Sequence, residues 1–175
     1  MQKDWKEAVK ILKSDGVAVI PTDTLYGLVG SAFSPVAIEK IYNIKDRNRE
    51  KKLIILISSV RDLKKFGIKV SKIEKKILKK YWPGEVSIII NDIAFRLPNK
   101  KNLVSLIKKV GPIAAPSANK ESQKPAESVE EAKNYFGDEV SLYIDEGEKI
   151  SEPSTVIKIK DNDIEIIREG KVKII

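Results

Sequence analysis

The sequence predicts a single α/β domain over residues 1–175, built on a mixed parallel and antiparallel sheet with flanking helices. Two observations carry this. Short β-branched apolar runs are intermixed with stretches of helical spacing, such as Gly16 to Ile20 after Trp5, Ala8, Val9 and Leu12. Two further runs, Val86 to Ile90 and Ile93 to Leu97, flank Asn91-Asp92, a tight hairpin turn that forces at least one antiparallel pair. At 175 residues, 42% hydrophobic and 33% charged, the chain can bury one substantial core.

The elements follow in order. Asp4-Trp5-Lys6-Glu7 reads as a capping box that opens a helix running to Gly16. Gly16 to Ile20 reads as a buried strand that Pro21 ends, and Gly27 supplies either a positive φ or a close backbone approach. Ser34-Pro35 is an N-cap followed by proline at the first helical position, with Ile38, Ile41 and Tyr42 as the apolar side. Leu53 to Ile57 is a strand buried on both faces. Ser71-Lys72-Ile73-Glu74 caps a helix that Trp82-Pro83-Gly84 closes.

After the hairpin, Leu103, Leu106, Ile107 and Val110 mark a helix ended by Gly111-Pro112. Ile113 to Ala115 is a short strand leading into Pro116-Ser117-Ala118-Asn119. Ser128-Val129-Glu130-Glu131 caps a helix to about Phe136, with Gly137 past its end. The tail reads as strands Leu142 to Ile144, Thr155 to Lys160 and Ile164 to Arg168, the last two joined by Asp161-Asn162-Asp163.

Composition narrows the chemistry. With no Cys and no His, disulfides, thiolates and imidazole are excluded as tools. Carboxylates, amines, hydroxyls and backbone dipoles remain. A net charge of +8 favours anionic partners, nucleotide or nucleic acid, although Lys and Glu enrichment also suits a thermophile surface. No apolar run approaches the roughly 18 to 20 residues of a membrane span, and the amino terminus lacks a signal-peptide pattern. A cytoplasmic location is the expectation.

Four stretches could carry chemistry. Polar residues crowd the exit of the first strand in Pro21-Thr22-Asp23-Thr24-Leu25-Tyr26-Gly27, where open α/β sheets bind ligands and where an ordinary turn would also fit. Lys45, Arg47, Arg49, Lys51 and Lys52 form either a phosphate-binding cluster or a solvated face. Arg96 stands alone in an apolar strand, which demands an anion: a ligand carboxylate or an internal salt bridge. Ala115-Pro116-Ser117-Ala118-Asn119 is a second exit whose small and polar residues allow close ligand approach. Ser117 has no imidazole to activate it as a nucleophile. The chain lacks a Gly-rich phosphate loop, a dinucleotide fingerprint and metal-ligand spacing.

Taken in order, these motifs resemble one family. Pro21 to Leu28, Lys45-x-Arg47, Trp82-Pro83-Gly84, Arg96-Leu97-Pro98, Ala115 to Asn119, Ser154-Thr155-Val156 and Arg168-x-Gly170 follow the pattern of the YrdC/TsaC-type threonylcarbamoyl-AMP synthases. The match runs from Gly16 to Gly170, and the length resembles the short, single-domain form. The resemblance implies a twisted sheet enclosing a basic concave cavity. It implies condensation of L-threonine, bicarbonate and ATP, with Mg2+ accompanying the nucleotide, to threonylcarbamoyl-AMP and pyrophosphate. The product would feed a transferase complex that modifies tRNA.

By position, the resemblance implies threonine contacts at Thr24, Arg96, Ala115 and Ser154. It implies a catalytic pair at Lys45 and Arg47, and a nucleotide side at Arg47, Lys51, Ser117, Asn119 and Arg168. The chain departs from the family in having Asn48, Lys52 and Glu85 where proline is usual, and Leu56 and Lys100 where histidine is usual. A carbamate forms from an amine and CO2 without an enzymic nucleophile, so a His-free protein that positions substrates and neutralises phosphate suffices. Two rivals are a carbamoyl-transfer domain of hydrogenase-maturation type and a module that binds RNA through its basic cavity.

Overall fold

The computed structural model describes residues 3–160 and 163–174. Its strands form one sheet: β1 (Ala18–Pro21), β2 (Tyr26–Ser31), β3 (Ile55–Leu56), β4 (Val86–Ile90), β5 (Ile93–Arg96), β6 (Ile113–Ala114), β7 (Thr155–Lys160) and β8 (Asp163–Arg168). The order across the sheet is β1-β2-β6-β3-β5-β4-β7-β8. β3 runs parallel to β5 and β4 parallel to β7, while the other neighbours are antiparallel. Mixed pairing is therefore the observed arrangement.

Helices cover both faces, and alternation along the strands decides which residue goes where. On one face α1 (Lys3–Lys13) and α4 (Lys101–Val110) bring Trp5, Leu12, Leu103 and Leu106 onto Ala18, Ile20, Val29 and Leu56. On the other, α2 (Pro35–Ile44), α3 (Lys72–Tyr81) and α5 (Val129–Phe136) bring Ile41, Leu78 and Phe136 towards Val17, Val19, Leu28, Ile55 and Ile57. The predicted caps form: Ser34 accepts from Ala37 N at 3.0 Å and Ser128 from Glu131 N at 3.1 Å, and Ser71 with Glu74 closes a capping box. Asn91 and Asp92 both have positive φ, 48° and 60°, as a two-residue hairpin requires.

Several expectations are corrected. Asp4 lies in the first turn of α1 rather than at its cap. Pro21 pairs with Tyr26 as the last residue of β1, a place at the end of an outermost strand where its missing N–H is tolerated. The polar exit is a four-residue hairpin loop, and the chain returns at once as β2. Gly27 sits in that strand, where a Cβ would lie 3.3 Å from Thr22 Cγ2 and 3.5 Å from the Pro116 carbonyl. Close approach is thus its use.

The run from Leu53 to Ile57 is mostly buried, yet only Ile55–Leu56 pairs as strand. Leu142 to Ile144 is a single bridge rather than a strand. Val19 N donates to Leu142 O at 2.8 Å and Ile144 N to Val19 O at 2.9 Å, so this segment covers the outer edge of β1. A 3-10 helix, Val60–Phe66, had no periodic signal. Asp62 starts it by accepting from the N–H groups of Ser58 and Ser59. The turn at Asp161-Asn162 lies outside the described residues. Among the described residues, no helix is long and apolar enough to cross a membrane.

Candidate active site

The end of β5, the β1–β2 loop, the segment after β6 and the two ends of the β7–β8 ribbon meet around a narrow cavity of about 60 Å³. Thr24, Arg96, Ala115, Ser117, Ser154 and Arg168, six of the sequence candidates, line it together. Lys45, Arg47, Lys51 and Asn119 do not; they belong to the loops that frame the Ser117 side.

Arg96 is 4% exposed at the end of β5. Its Nη1 donates to Asp23 Oδ1 at 2.6 Å, while its Nε is shielded from solvent and has no partner. Burial pushes the guanidinium pKa down, and the Asp23 carboxylate pushes it back up. Of the two sequence alternatives, the internal salt bridge forms and satisfies one nitrogen, while Nε is left without a partner. Arg168, from β8, donates through Nη2 to Ser154 O at 2.8 Å and to Ser154 Oγ at 3.3 Å. Ser154 Oγ lies 2.9 Å from Ser87 Oγ. Burial lowers the Arg168 pKa, and the charges of Arg96 and Arg47 lower it further. Guanidinium groups crowded in this way make the cavity a place for an anion.

The β8 tail is held close by necessity. A Cβ on Gly170 would lie 2.3 Å from the Pro153 carbonyl oxygen and 2.7 Å from the Ser154 carbonyl carbon, a gap that only glycine fits. Thr155 Oγ1 accepts from Gly170 N at 3.1 Å and fixes the same approach. On the opposite wall Thr22 Oγ1 donates to Leu25 O at 2.7 Å, accepts from Thr24 N at 3.1 Å and lies 3.2 Å from Thr24 Oγ1. The Thr24 hydroxyl is thereby held at the cavity wall. Below it, the buried Tyr26 hydroxyl donates to Gly147 O at 2.8 Å and accepts from Glu146 N at 3.1 Å. Burial raises its pKa.

Lys45 is placed differently from the sequence expectation. Only 1% exposed, its Nζ donates to Ser117 O at 2.6 Å, Asn119 O at 2.5 Å and Asn119 Oδ1 at 3.4 Å. Burial pushes its pKa down to about 7, with Arg47 acting the same way and Glu121 the opposite way. The three acceptors favour the charged form, so this ammonium pins the loop after β6. Asn119 is likewise committed: its Oδ1 accepts from Ser117 Oγ at 2.6 Å, and its Nδ2 donates to Lys120 O at 2.7 Å and Gln123 O at 2.9 Å. These two side chains shape the site rather than line it.

Arg47 donates to Lys51 O at 2.9 Å and Lys52 O at 3.3 Å, bracing its own loop. Lys51 pairs with Glu121, whose other oxygen accepts from Asn48 N at 2.6 Å, and Glu121 N donates to Lys45 O at 2.8 Å. Glu121 and Ser87 are parts of the site that sequence reasoning did not single out, and neither had a signal. Thr22 and Asp23 entered only as members of the polar exit after the first strand; the pairing of Asp23 with the lone buried arginine was not read from it. Leu56 is fully buried in the α1–α4 core, and Lys100 pairs with Glu146 at 2.5 Å. Neither departure from the family pattern lines the cavity.

Comparison with known proteins gives this geometry a context. A family model covering Sua5, YciO and YrdC proteins, described as telomere recombination, matches residues 10–170. A relative from Methanocaldococcus jannaschii is 31% identical over 99% of this chain and 90% of its own, and carries the name threonylcarbamoyl-AMP synthase provisionally. The Bacillus subtilis protein of that name is 27% identical over 95% of this chain and 53% of its own length.

Pyrococcus abyssi Sua5, crystallised with L-threonine, superposes with a TM-score of 0.87 at 26% identity over 97% of this chain and 55% of that one. Escherichia coli YciO, at 24% identity, matches in fold with a TM-score of 0.85 over 97% of this chain and 90% of its own. The chain thus spans about half the length of the Bacillus and Pyrococcus proteins. With the family model matching nearly its whole length, the chain belongs to the Sua5–YciO–YrdC family.

Proposed function

We propose that this chain is an L-threonylcarbamoyladenylate synthase, a nucleotidyltransferase that joins L-threonine, bicarbonate or CO2, and ATP, and releases pyrophosphate. The observation that carries the reading is the buried, unpartnered Nε of Arg96, a residue that lines one cavity with Ser154 and Arg168 and calls for an anion. It is supported by relatives named for this activity and by the Sua5 complex with L-threonine. Arg96 takes the threonine carboxylate, and Thr24, Ala115 and Ser154 form the walls around the amino acid. The amine adds to CO2 and loses a proton to give a carbamate. A carbamate oxygen then attacks the α-phosphorus, and the bond to the β,γ-diphosphate breaks.

Arg168, Arg47 and Lys51 neutralise phosphate charge, while Lys45 and Asn119 hold the loop that carries Ser117. ATP would enter as its Mg2+ complex, the cation supplying further neutralisation of phosphate charge. Among the described residues no three Asp or Glu side chains group to hold a metal ion. The product is a mixed anhydride suited to transfer onto tRNA by a separate enzyme complex.

Pyrophosphate release should require L-threonine, bicarbonate and Mg-ATP together, with threonylcarbamoyl adenylate detected by mass spectrometry. L-serine, one methyl smaller, should be used about 10- to 200-fold less well. Folded protein that binds ATP but makes no adduct with all substrates present would overturn the enzyme reading; tight binding of duplex RNA in that case would favour an RNA-binding module.

A further inference from the structure

The Arg96 guanidinium can receive a ligand in a defined direction only if something holds it, and its surroundings show what does. The Asp23–Arg96 pair is almost closed to water, with side chains 7% and 5% exposed. Asp23 takes one terminal nitrogen, Nη1, at 2.6 Å. Nε, on the other side of the fork, has no partner. In a guanidinium Nε and Nη2 share one edge, so a carboxylate that approaches Nε meets two parallel N–H donors. Asp23 does not swing, because its Oδ2 accepts from the Asn99 N–H at 3.0 Å, directly after Arg96-Leu97-Pro98. Both of its oxygens are thus spent on protein.

Charge leads to the same conclusion. Asp23 and Arg96 offset each other, and Arg168, whose pKa both Arg96 and Arg47 lower, adds a positive charge to the cavity wall. One carboxylate neutralises it. Without Asp23, the sealed Arg96 guanidinium would have no protein counter-ion and would face the solvent-exposed Arg168, so the cost of an unpaired buried charge would fall on Arg96.

We infer that Asp23 is the positioning residue for amino-acid recognition: by occupying Nη1 it presents the Nε edge of Arg96 to the substrate carboxylate. It touches no substrate itself. This rests on the reading that Arg96 receives the threonine carboxylate, and it adds a specificity role for a residue outside the cavity lining.

The test separates carboxylate recognition from general damage. Binding of L-threonine and of L-threoninamide, which lacks the carboxylate charge, is measured by calorimetry in the wild type, Asp23→Asn and Asp23→Glu. The first variant keeps shape but loses charge; the second keeps charge but displaces the carboxylate. The wild type should prefer threonine strongly, and in both variants that preference should shrink about ten-fold or more. ATP affinity should stay within about three-fold, since the nucleotide side makes no contact with Asp23. A wild type that does not distinguish the two ligands defeats the reading of Arg96 itself. A wild type that does, with variants that discriminate equally well, overturns the role of Asp23. So does failure of both variants to fold, which would make Asp23 a fold residue only.

Discussion

Arg96→Ala is expected to raise the threonine requirement by roughly 30- to 4,000-fold, the span of about 2 to 5 kcal/mol seen when one partner of a buried charge pair is removed. ATP affinity should change little. The substitution also strands the Asp23 carboxylate in a dry setting, so the melting temperature should fall as well. Arg96→Lys separates the two effects. A lysine ammonium restores a positive charge beside Asp23 but offers no planar fork. Stability should largely return while threonine binding stays weak, measured by calorimetry alongside thermal denaturation. Equal weakening of threonine and ATP in both variants would make Arg96 a structural residue.

Lys45→Ala should lower the melting temperature by about 4 to 24 °C, because two buried carbonyls, of Ser117 and Asn119, lose their donor at about 1 to 3 kcal/mol each. Turnover should fall with it, since the loop carrying Ser117 is no longer pinned. Lys45→Met fills much of the same volume without a donor and should recover only part of the loss. If Lys45 instead met phosphate directly, the alanine variant would melt like the wild type and lose ATP binding alone. Thermal denaturation and nucleotide calorimetry on the two variants distinguish these outcomes.

What the sequence made legible was local. The caps at Ser34, Ser71 and Ser128 and the Asn91-Asp92 turn depend on residues within four positions, and each formed as read. β2 was missed because Tyr26–Ser31 holds two glycines and becomes strand only through ladders to β1 and β6. Leu142 to Ile144 failed in the opposite sense, having the composition of a strand but pairing at one residue.

The same division runs through the site. Arg96 was legible because one charge in an apolar strand violates its surroundings. Lys45 sat in a run of charges that looked like solvated surface or phosphate ligands. Its burial was decided by carbonyls 72 and 74 positions away, which no local pattern records. Glu121, which ties the Lys45–Lys51 loop to the segment after β6, was hidden for the same reason.

The two ion pairs that flank the site differ in one property with a consequence for its working conditions. Asp23–Arg96 is sealed, whereas Lys51–Glu121 is open, with side chains 57% and 19% exposed. Dissolved ions screen exposed charges beyond about 8 to 10 Å at physiological ionic strength and hardly reach a sealed pair. Raising potassium chloride from low to high concentration should therefore loosen the nucleotide end while the amino-acid end keeps its grip. In titrations across that range, the apparent ATP requirement should climb steadily and the threonine requirement should stay nearly flat. The ionic composition around the protein would then set how much nucleotide it needs, and leave its hold on the amino acid alone.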